Sequence, residues 1–376
     1  MQKDKKPISI ETHFGGLSDP RHHNKKHKLI DIMTIAICAT ICGADTFKQI
    51  EDFGTAKIKW FKKFLELPFE IPSHDTFGRV FAIVDPKEFR SCFINWIQAV
   101  QDILAGQIIA VDGKTLRRSF DKSTDKKPIH MVSAWASESG FVLGQVKTDE
   151  KSNEITAIPQ LLKMLELSGC IVTIDAMGCQ KKIAETIVKK GADYLFSLKG
   201  NHGNLHDDVK LFFDGCLKDN FKDIPHSFYE TVDGAHGRIE TRKFWTVSDI
   251  NWLYGKRLWK GLKSIGMVES ERQIGDEISK ERRFFITSLD SGAKTFGHAV
   301  RSHWGIENGL HWTLDIAFRE DESRIRKDNS PENFAVLRHI ALNLLKNEKT
   351  FKGSIKTKRL MAGWETSYLE KVIGGK

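Results

Sequence analysis

Two short apolar runs, IIAVDG at 108–113 and CIVTIDAM at 170–177, each end in an aspartate. Runs of this length, bounded by turn residues and rich in β-branched side chains, suit strands buried on both faces. Between and after them lie further strand candidates, HMVSAWAS, GFVLGQVKT and DYLFSLKGN. Two amphipathic stretches, SNEITAIPQLLKMLEL and QKKIAETIVKKG, suit helices. The order strand, strand, strand, helix, strand, helix, strand predicts an α/β fold: a mixed sheet with helices on its faces. In such a sheet, side chains at the carboxyl ends of neighbouring strands converge on one rim. Asp112 and Asp175 are therefore expected side by side.

The remaining segments divide around that core. Residues 1–28 read as a polar arm. Residues 29–105 read as mostly helical, with Leu29, Ile32, Met33, Ile35, Ala36 and Ala39 near a 3.6-residue period and Ser73 as an N-cap. Together, 1–105 form an N-terminal arm and a helical domain that suits DNA binding or a cap packed on the next domain. Residues 106–203 hold the first part of the sheet domain, and 204–295 a β-rich insertion. In the insertion, SFYETVDGAHGRIETRKFWTV alternates as a hairpin does, with its turn expected at Asp233-Gly234. Residues 296–350 return to helix and 351–376 form a tail.

The 58 basic and 49 acidic residues leave a net charge of +9. Basic residues cluster at RHHNKKHK (21–28), KIKWFKK (57–63) and at Lys114, Arg117, Arg118, Lys122, Lys126 and Lys127. Such clusters suit a polyanionic partner by releasing its condensed counterions, and equally suit solvated surface faces. The six cysteines show no CxxC pair, which points to a reducing cytoplasm with neither a disulfide framework nor structural zinc. No stretch approaches the ~18 apolar residues a membrane span needs.

A third acid, Glu307, lies in the helix expected after the insertion. Carboxylates gathered at one rim repel one another unless a cation sits among them. Hard oxygen ligands with open positions suit Mg²⁺ or Mn²⁺, the ions of phosphodiester chemistry. Each acid has a plainer reading: Asp112 as a turn residue before Gly113, Asp175 as a cap on the next helix, Glu307 as a solvated helix residue. Taken together, on these elements and in this order, they favour a metal site.

Several segments carry a family resemblance: HFGGLSDPR at 13–21, PSHDTF at 72–77, AVDGKTLRRS at 110–119, TIDAMGCQ at 173–180, FSLKGNHGNL at 196–205, HGRIETR at 236–242 and RSHWGIENGLHWTLDIAFRED at 301–321. In this sequence the chain resembles insertion-sequence transposases of the DDE type, most of all the H-repeat-associated group. The resemblance implies an RNase H-like fold with an all-β insertion before the last acid. It also implies Asp112, Asp175 and Glu307 as catalytic ligands of Mg²⁺. Many related transposases carry a Tyr, Arg, Glu, Lys signature around that acid. Here the matching positions are Val300, His303, Glu307 and Leu314.

Around the acids, Lys114 and Arg117 are expected on the DNA backbone, and Lys199 and Asn201 near the scissile phosphate. His236 and Arg238 are expected to hold DNA from the hairpin. His303, Glu307 and His311 recur every four residues and share a helix face, a spacing that also allows a His/Glu/His zinc site. The two histidines suit phosphate contacts or polar neighbours of the acid. Trp304 and Trp312 read as core, and Gln180 as an orienting group or a helix-start amide. The expected function is DNA transposition: Mg²⁺-dependent cleavage of double-stranded DNA at the element's ends and transfer of the freed 3′-OH into target DNA, by a homodimer assembled on DNA. A silent DNA-binding relative and a nuclease without strand transfer are the alternatives.

Overall fold

The computed structural model describes residues 10–22, 25–100, 105–120, 126–148, 153–235, 237–290 and 292–374. Residues 1–9 of the arm, Lys122 and His236, singled out above, lie outside them.

The N-terminal part is helical: α1 (Ile10–Phe14), α2 (Leu29–Ile41), α3 (Phe47–Ala56), α4 (Ile58–Phe61), α5 (His74–Ile83) and α6 (Pro86–Val100). Local chemistry sets the starts. Thr46 and Gln49 form a reciprocal capping box on α3, and the Ser73 hydroxyl accepts the Thr76 N–H on α5. The α2 helix is buried on nearly every side, not on one stripe. It needs that burial because it threads between other helices, including α12 (Ser330–Asn347) from the far end of the chain.

The sheet begins with β1 (Ile108–Thr115), β2 (His130–Ala136) and β3 (Phe141–Lys147). The helix α7 (Glu154–Met164), β4 (Ile171–Ile174), α8 (Lys181–Lys189) and β5 (Asp193–Leu198) follow. β2 and β3 run antiparallel, while β1, β4 and β5 run parallel to one another. After α9 (Asn204–Lys218) come β6 (Ser227–Ala235), β7 (Arg238–Val247), β8 (Ser264–Ile274) and β9 (Glu277–Thr287). The inserted strands continue the same sheet, because β9 pairs antiparallel with β5. The order among the described residues is β3-β2-β1-β4-β5-β9-β8-β7-β6, an RNase H-like sheet extended at one edge. The hairpin turn falls between Ala235 and Arg238, with Gly237 at φ 73°, instead of at Asp233-Gly234. Asp233 pairs with Glu240 inside the ladder, and Arg242 and Arg301 both grip its carboxylate.

The chain then returns as α10 (Ala293–His303), a π-helical turn (Glu307–His311), α11 (Trp312–Phe318), α12, α13 (Ile355–Trp364) and α14 (Thr366–Gly374). Residues 351–374 thus fold back on the N-terminal helices. Arg359 donates to Thr40 O and Asp45, Lys57 to Thr366, and Trp60 Nε1 to Glu370 at 2.7 Å. Strand side chains alternate between the two faces of the sheet. Ile108, Ile171 and Leu195 pack toward Phe296 and Ala299 of α10, while Val111, Val172 and Ile174 join Ile158, Leu161 and Ile183 of α7 and α8. Asp112, two positions on from Ala110, lies on the α10 side.

Candidate active site

The parallel ladder between β1 and β4 ends at the pair Val111↔Ile174. Asp112 and Asp175 are the next residue on each strand. Adjacent strands lie about 4.8 Å apart, so the ladder itself sets the two acids beside each other. β4 ends there, and the Asp175 Oδ1 accepts the N–H groups of Met177 (3.0 Å) and Gly178 (3.2 Å) in the turn that follows. Gln180 is the N-cap position of α8, with its amide 3.5 Å from Met177 O.

Glu307 comes from the opposite wall. α10 crosses the sheet, and His303 at its end places Nδ1 3.0 Å from the Thr173 hydroxyl on β4. The helix then opens into the π turn at Glu307–His311 in place of one continuous α-helix. Gly309 sits against the Trp135 ring, where an added Cβ would come within 2.8 Å of Cζ2. π turns of this kind recur at functional sites. Here Glu307 stays exposed while His311 is buried.

Asp112, Asp175 and Glu307 line one cavity of about 630 Å³, together with Lys199, His303 and Trp304. Asp112, Glu307 and His311 each offer a ligand atom, all within 4.8 Å of one another. Burial pushes the Asp112 carboxyl up to about 8, and the charges of Glu307, Glu154 and Asp175 add to that. No lysine or arginine ion-pairs with Asp112 among the described residues; the nearest basic atom recorded is His311 Nδ1 at 3.9 Å from Oδ2. Burial also lowers His303 and His311, so both favour the neutral imidazole. His311 Nε2 is buried without a hydrogen-bond partner. A carboxylate destabilised by burial and by three further acids, beside a neutral imidazole, is a donor set that fits a divalent cation.

Two supports hold this rim, and neither was visible in the sequence. On the α7 side of β1, His130 bridges Thr115 Oγ1 (2.8 Å to Nδ1) and Glu154 Oε1 (2.7 Å from Nε2). The pair lies against the Gly113 backbone. A Cβ there would sit 2.1 Å from Glu154 Oε1 and 2.3 Å from His130 Nε2. On the Asp112 side, Lys114 is enclosed by acids. Its ammonium reaches Asp315, Glu320 at 3.1 Å and Asp321 at 3.8 Å, and its side chain is 13% exposed. Glu320 also faces Arg338 at 3.5 Å. Burial opposes its charge, yet Lys114 and Arg338 hold Glu320 below the usual carboxylate range. Lys114 is thus committed to an internal ion cluster and is not presented to solvent as a DNA-backbone contact would be.

The other expected positions are dispersed. Arg117 is exposed and pairs with Asp321 at 3.1 Å. Lys199 is exposed on the cavity wall. Asn201 donates to Ala176 O at 3.0 Å, which ties the end of β5 to the loop after Asp175. Arg238 starts β7 at the tip of the extension and does not line the cavity. His303 is engaged with Thr173 and, with Glu307, does not share a metal-ligand set with His311 alone; the acid that joins Glu307 and His311 is Asp112. Trp304 and Trp312, expected in the core, are 50% and 61% exposed, and the Arg283 guanidinium stacks on Trp304 at 5.2 Å.

The family described as "Transposase DDE domain" matches residues 104–344, and "DDE_Tnp_1-associated" matches residues 11–97. The chain belongs to the DDE transposase family, in its H-repeat-associated group. It is 45% identical over 371 residues to the Escherichia coli O157:H7 protein named "Putative transposase YncI", covering 97% of this chain and 94% of that one. It is 43% identical over 355 residues to "H repeat-associated putative transposase YhhI" of Escherichia coli K12, covering 93% of each. No helix among the described residues is long and apolar enough to cross a membrane.

Proposed function

We propose that this transposase cuts double-stranded DNA at the ends of its element and joins the freed 3′-OH to target DNA, with Asp112, Asp175 and Glu307 as the catalytic carboxylates. The observation that carries the reading is their shared cavity, in which the half-buried Asp112 ion-pairs with no lysine or arginine among the described residues. Mg²⁺ or Mn²⁺ would be held by these three acids, with His311 beside Asp112 and Glu307. Bound there, such an ion supplies positive charge to the reacting phosphate and eases formation of the attacking oxyanion.

The chain's own residues do the positioning. The β1–β4 ladder fixes the two aspartates, and the His303–Thr173 hydrogen bond fixes the helix that delivers Glu307. Lys199 on the cavity wall contacts a phosphate next to the scissile bond, and Asn201 braces the loop that carries Asp175. Arg117 contacts the DNA backbone outside the cavity. Arg238, at the start of β7, holds DNA farther out, together with His236, which lies outside the described residues. Both steps are in-line displacements at phosphorus, so one site serves both. Joining two ends calls for two copies of the chain, assembled on DNA.

The test is cleavage of a labelled duplex carrying the element's end. Cutting should require Mg²⁺ or Mn²⁺ and fall by at least about three orders of magnitude in Asp112→Asn, Asp175→Asn and Glu307→Gln. Undiminished cutting in these variants rejects the site. Cutting without a strand-transfer product makes the protein a nuclease, and salt-sensitive binding without cutting makes it a silent DNA-binding relative.

A further inference from the structure

Some exposed cations of this protein have an acidic partner close by. Lys48 meets Glu51 and Asp52, Lys62 meets Glu70, Lys189 meets Glu185, Lys280 meets Glu271 and Arg319 meets Glu322. Others form no ion pair among the described residues, and in one region several of these gather along a groove. Arg79 on α5 is exposed, and its one recorded side-chain contact is the Thr76 hydroxyl at 3.5 Å. Across from it, Arg324 and Lys327 are exposed, and neither forms an ion pair among the described residues. The two elements are about 245 residues apart in sequence, yet they form the opposite walls of one groove of about 1020 Å³.

The groove is built, not left over. Ile325 packs inward on the core, which turns Arg324 and Lys327 outward. Lys126 donates to the carbonyls of Arg326 (3.0 Å) and Asp328 (2.8 Å), and Arg326 is held by Arg118 O and by the Phe120 ring. Asn329 and Asn333 tie the same segment to Ala82, Phe81 and Val84 at the end of α5 and just beyond it. The loop is thus a fixed platform whose two outward cations form no ion pair among the described residues. Asp75 and Asp328 are the acids in the groove.

Arg79 also borders a second groove, of about 1040 Å³, between α5 and residues 20–27. That groove adds His22 and Lys26, while Arg21 and Lys25 share Asp19. The two grooves adjoin at Arg79. At the other end, the 324–328 segment follows the acidic turn that holds Lys114, two residues beyond Asp112 on β1. Exposed cations gathered along two adjoining grooves that hold few acids are complementary to a phosphate backbone.

We propose that Arg79, Arg324 and Lys327 form a backbone track for duplex DNA, across the seam between the N-terminal helices and the catalytic domain. The track rests on the transposase reading above and names where that site's substrate lies as it leaves the cavity. It recognises phosphates and not bases, so it grips element ends and unrelated duplex alike.

The test uses the full chain carrying Arg79→Gln, Arg324→Gln and Lys327→Gln together, with Lys48→Gln/Lys280→Gln as the control. Affinity is measured against salt for a duplex bearing the element's end and for a scrambled duplex of equal length. The track predicts that the slope of log K against log[salt] shrinks by about 2–3 in the triple variant, at ~0.9 per lost phosphate contact. Both duplexes should weaken equally, the control should match the wild type, and the thermal midpoint should not move. An unchanged slope overturns the proposal, as does a loss confined to single-stranded DNA. Binding is read without cutting, so a chain that binds this way but never cleaves would sink the catalytic reading and leave the track standing.

Discussion

Asp112 and Lys114 are two residues apart on β1 and face the same side of the sheet, yet their surroundings are opposite. Lys114 enters a closed cluster in which Asp315, Glu320 and Asp321 surround one ammonium and Arg338 balances Glu320. Asp112 enters an open cavity shared with other acids and has no lysine or arginine partner among the described residues. Both are acid-rich regions. In one, Lys114 and Arg338 pair with the carboxylate and hold it ionised; in the other, no lysine or arginine among the described residues pairs with Asp112, and its carboxyl is pushed up to about 8. The difference separates an acid neutralised by the protein's own cations from one that, in the proposed function, a divalent cation would neutralise.

The largest test of that contrast is Glu320→Gln, which removes the anion that Lys114 and Arg338 share and leaves Arg338 with no ion pair among the described residues. Urea unfolding should show a loss of about 3–5 kcal/mol, the cost of breaking a buried pair from one side. A loss below about 1 kcal/mol would mean the cluster is solvated and the contrast false. Next comes Asp112→Asn in metal-free protein. The folded-state pKa lies above the unfolded value near 3.8, so the carboxyl's stabilisation is full below that value and lost as pH rises toward about 8. The Asn variant lacks this decline. It should match the wild type near pH 4 and exceed it by on the order of 3 kcal/mol at pH 9, read as denaturant midpoints. Equal midpoints at both pH values would place Asp112 in water.

Gly113→Ala probes the far side of the same strand. Its methyl meets Glu154 and His130, so stability should fall by about 2 kcal/mol, and Glu154→Ala should relieve part of that loss in a double-mutant cycle. Strict additivity would show that the contact is easily relaxed. The smallest effect is expected at Asp233→Asn, where Arg242 and Arg301 converge on a half-exposed carboxylate. Exposed pairs contribute less than about 1 kcal/mol, and thermal melts should shift little and less still in high salt.

What the sequence disclosed follows the range of each interaction. Asp112 and Asp175 were legible because each ends an apolar strand run, and parallel pairing brings strand ends together. Glu307 needed the family resemblance, since a single Glu on a helix carries no local signal. The partners of Lys114 lie more than 200 positions along the chain, so its basic neighbourhood at 114–127 looked like a DNA-facing surface. His130 and Glu154 were equally hidden, since Gly113 read only as the second half of an Asp-Gly turn. The hairpin turn was misplaced because Asp-Gly is a strong local turn signal, while the cross-strand grip on Asp233 is not local. Trp304 and Trp312 read as core by size, but the opened turn leaves them at the surface.

The direct pairing of β9 with β5 means the inserted strands are no detachable cassette. Excising 204–290 would strip β5 of its antiparallel neighbour and leave the bare hydrogen-bonding groups of Leu195 to Leu198 along a new outer margin. An unprotected strand of that kind invites pairing with other chains. Relatives that shorten this segment would need to trim the hairpins from their tips inward and spare the rungs beside Phe196, which makes length variation here a matter of reach and not of presence.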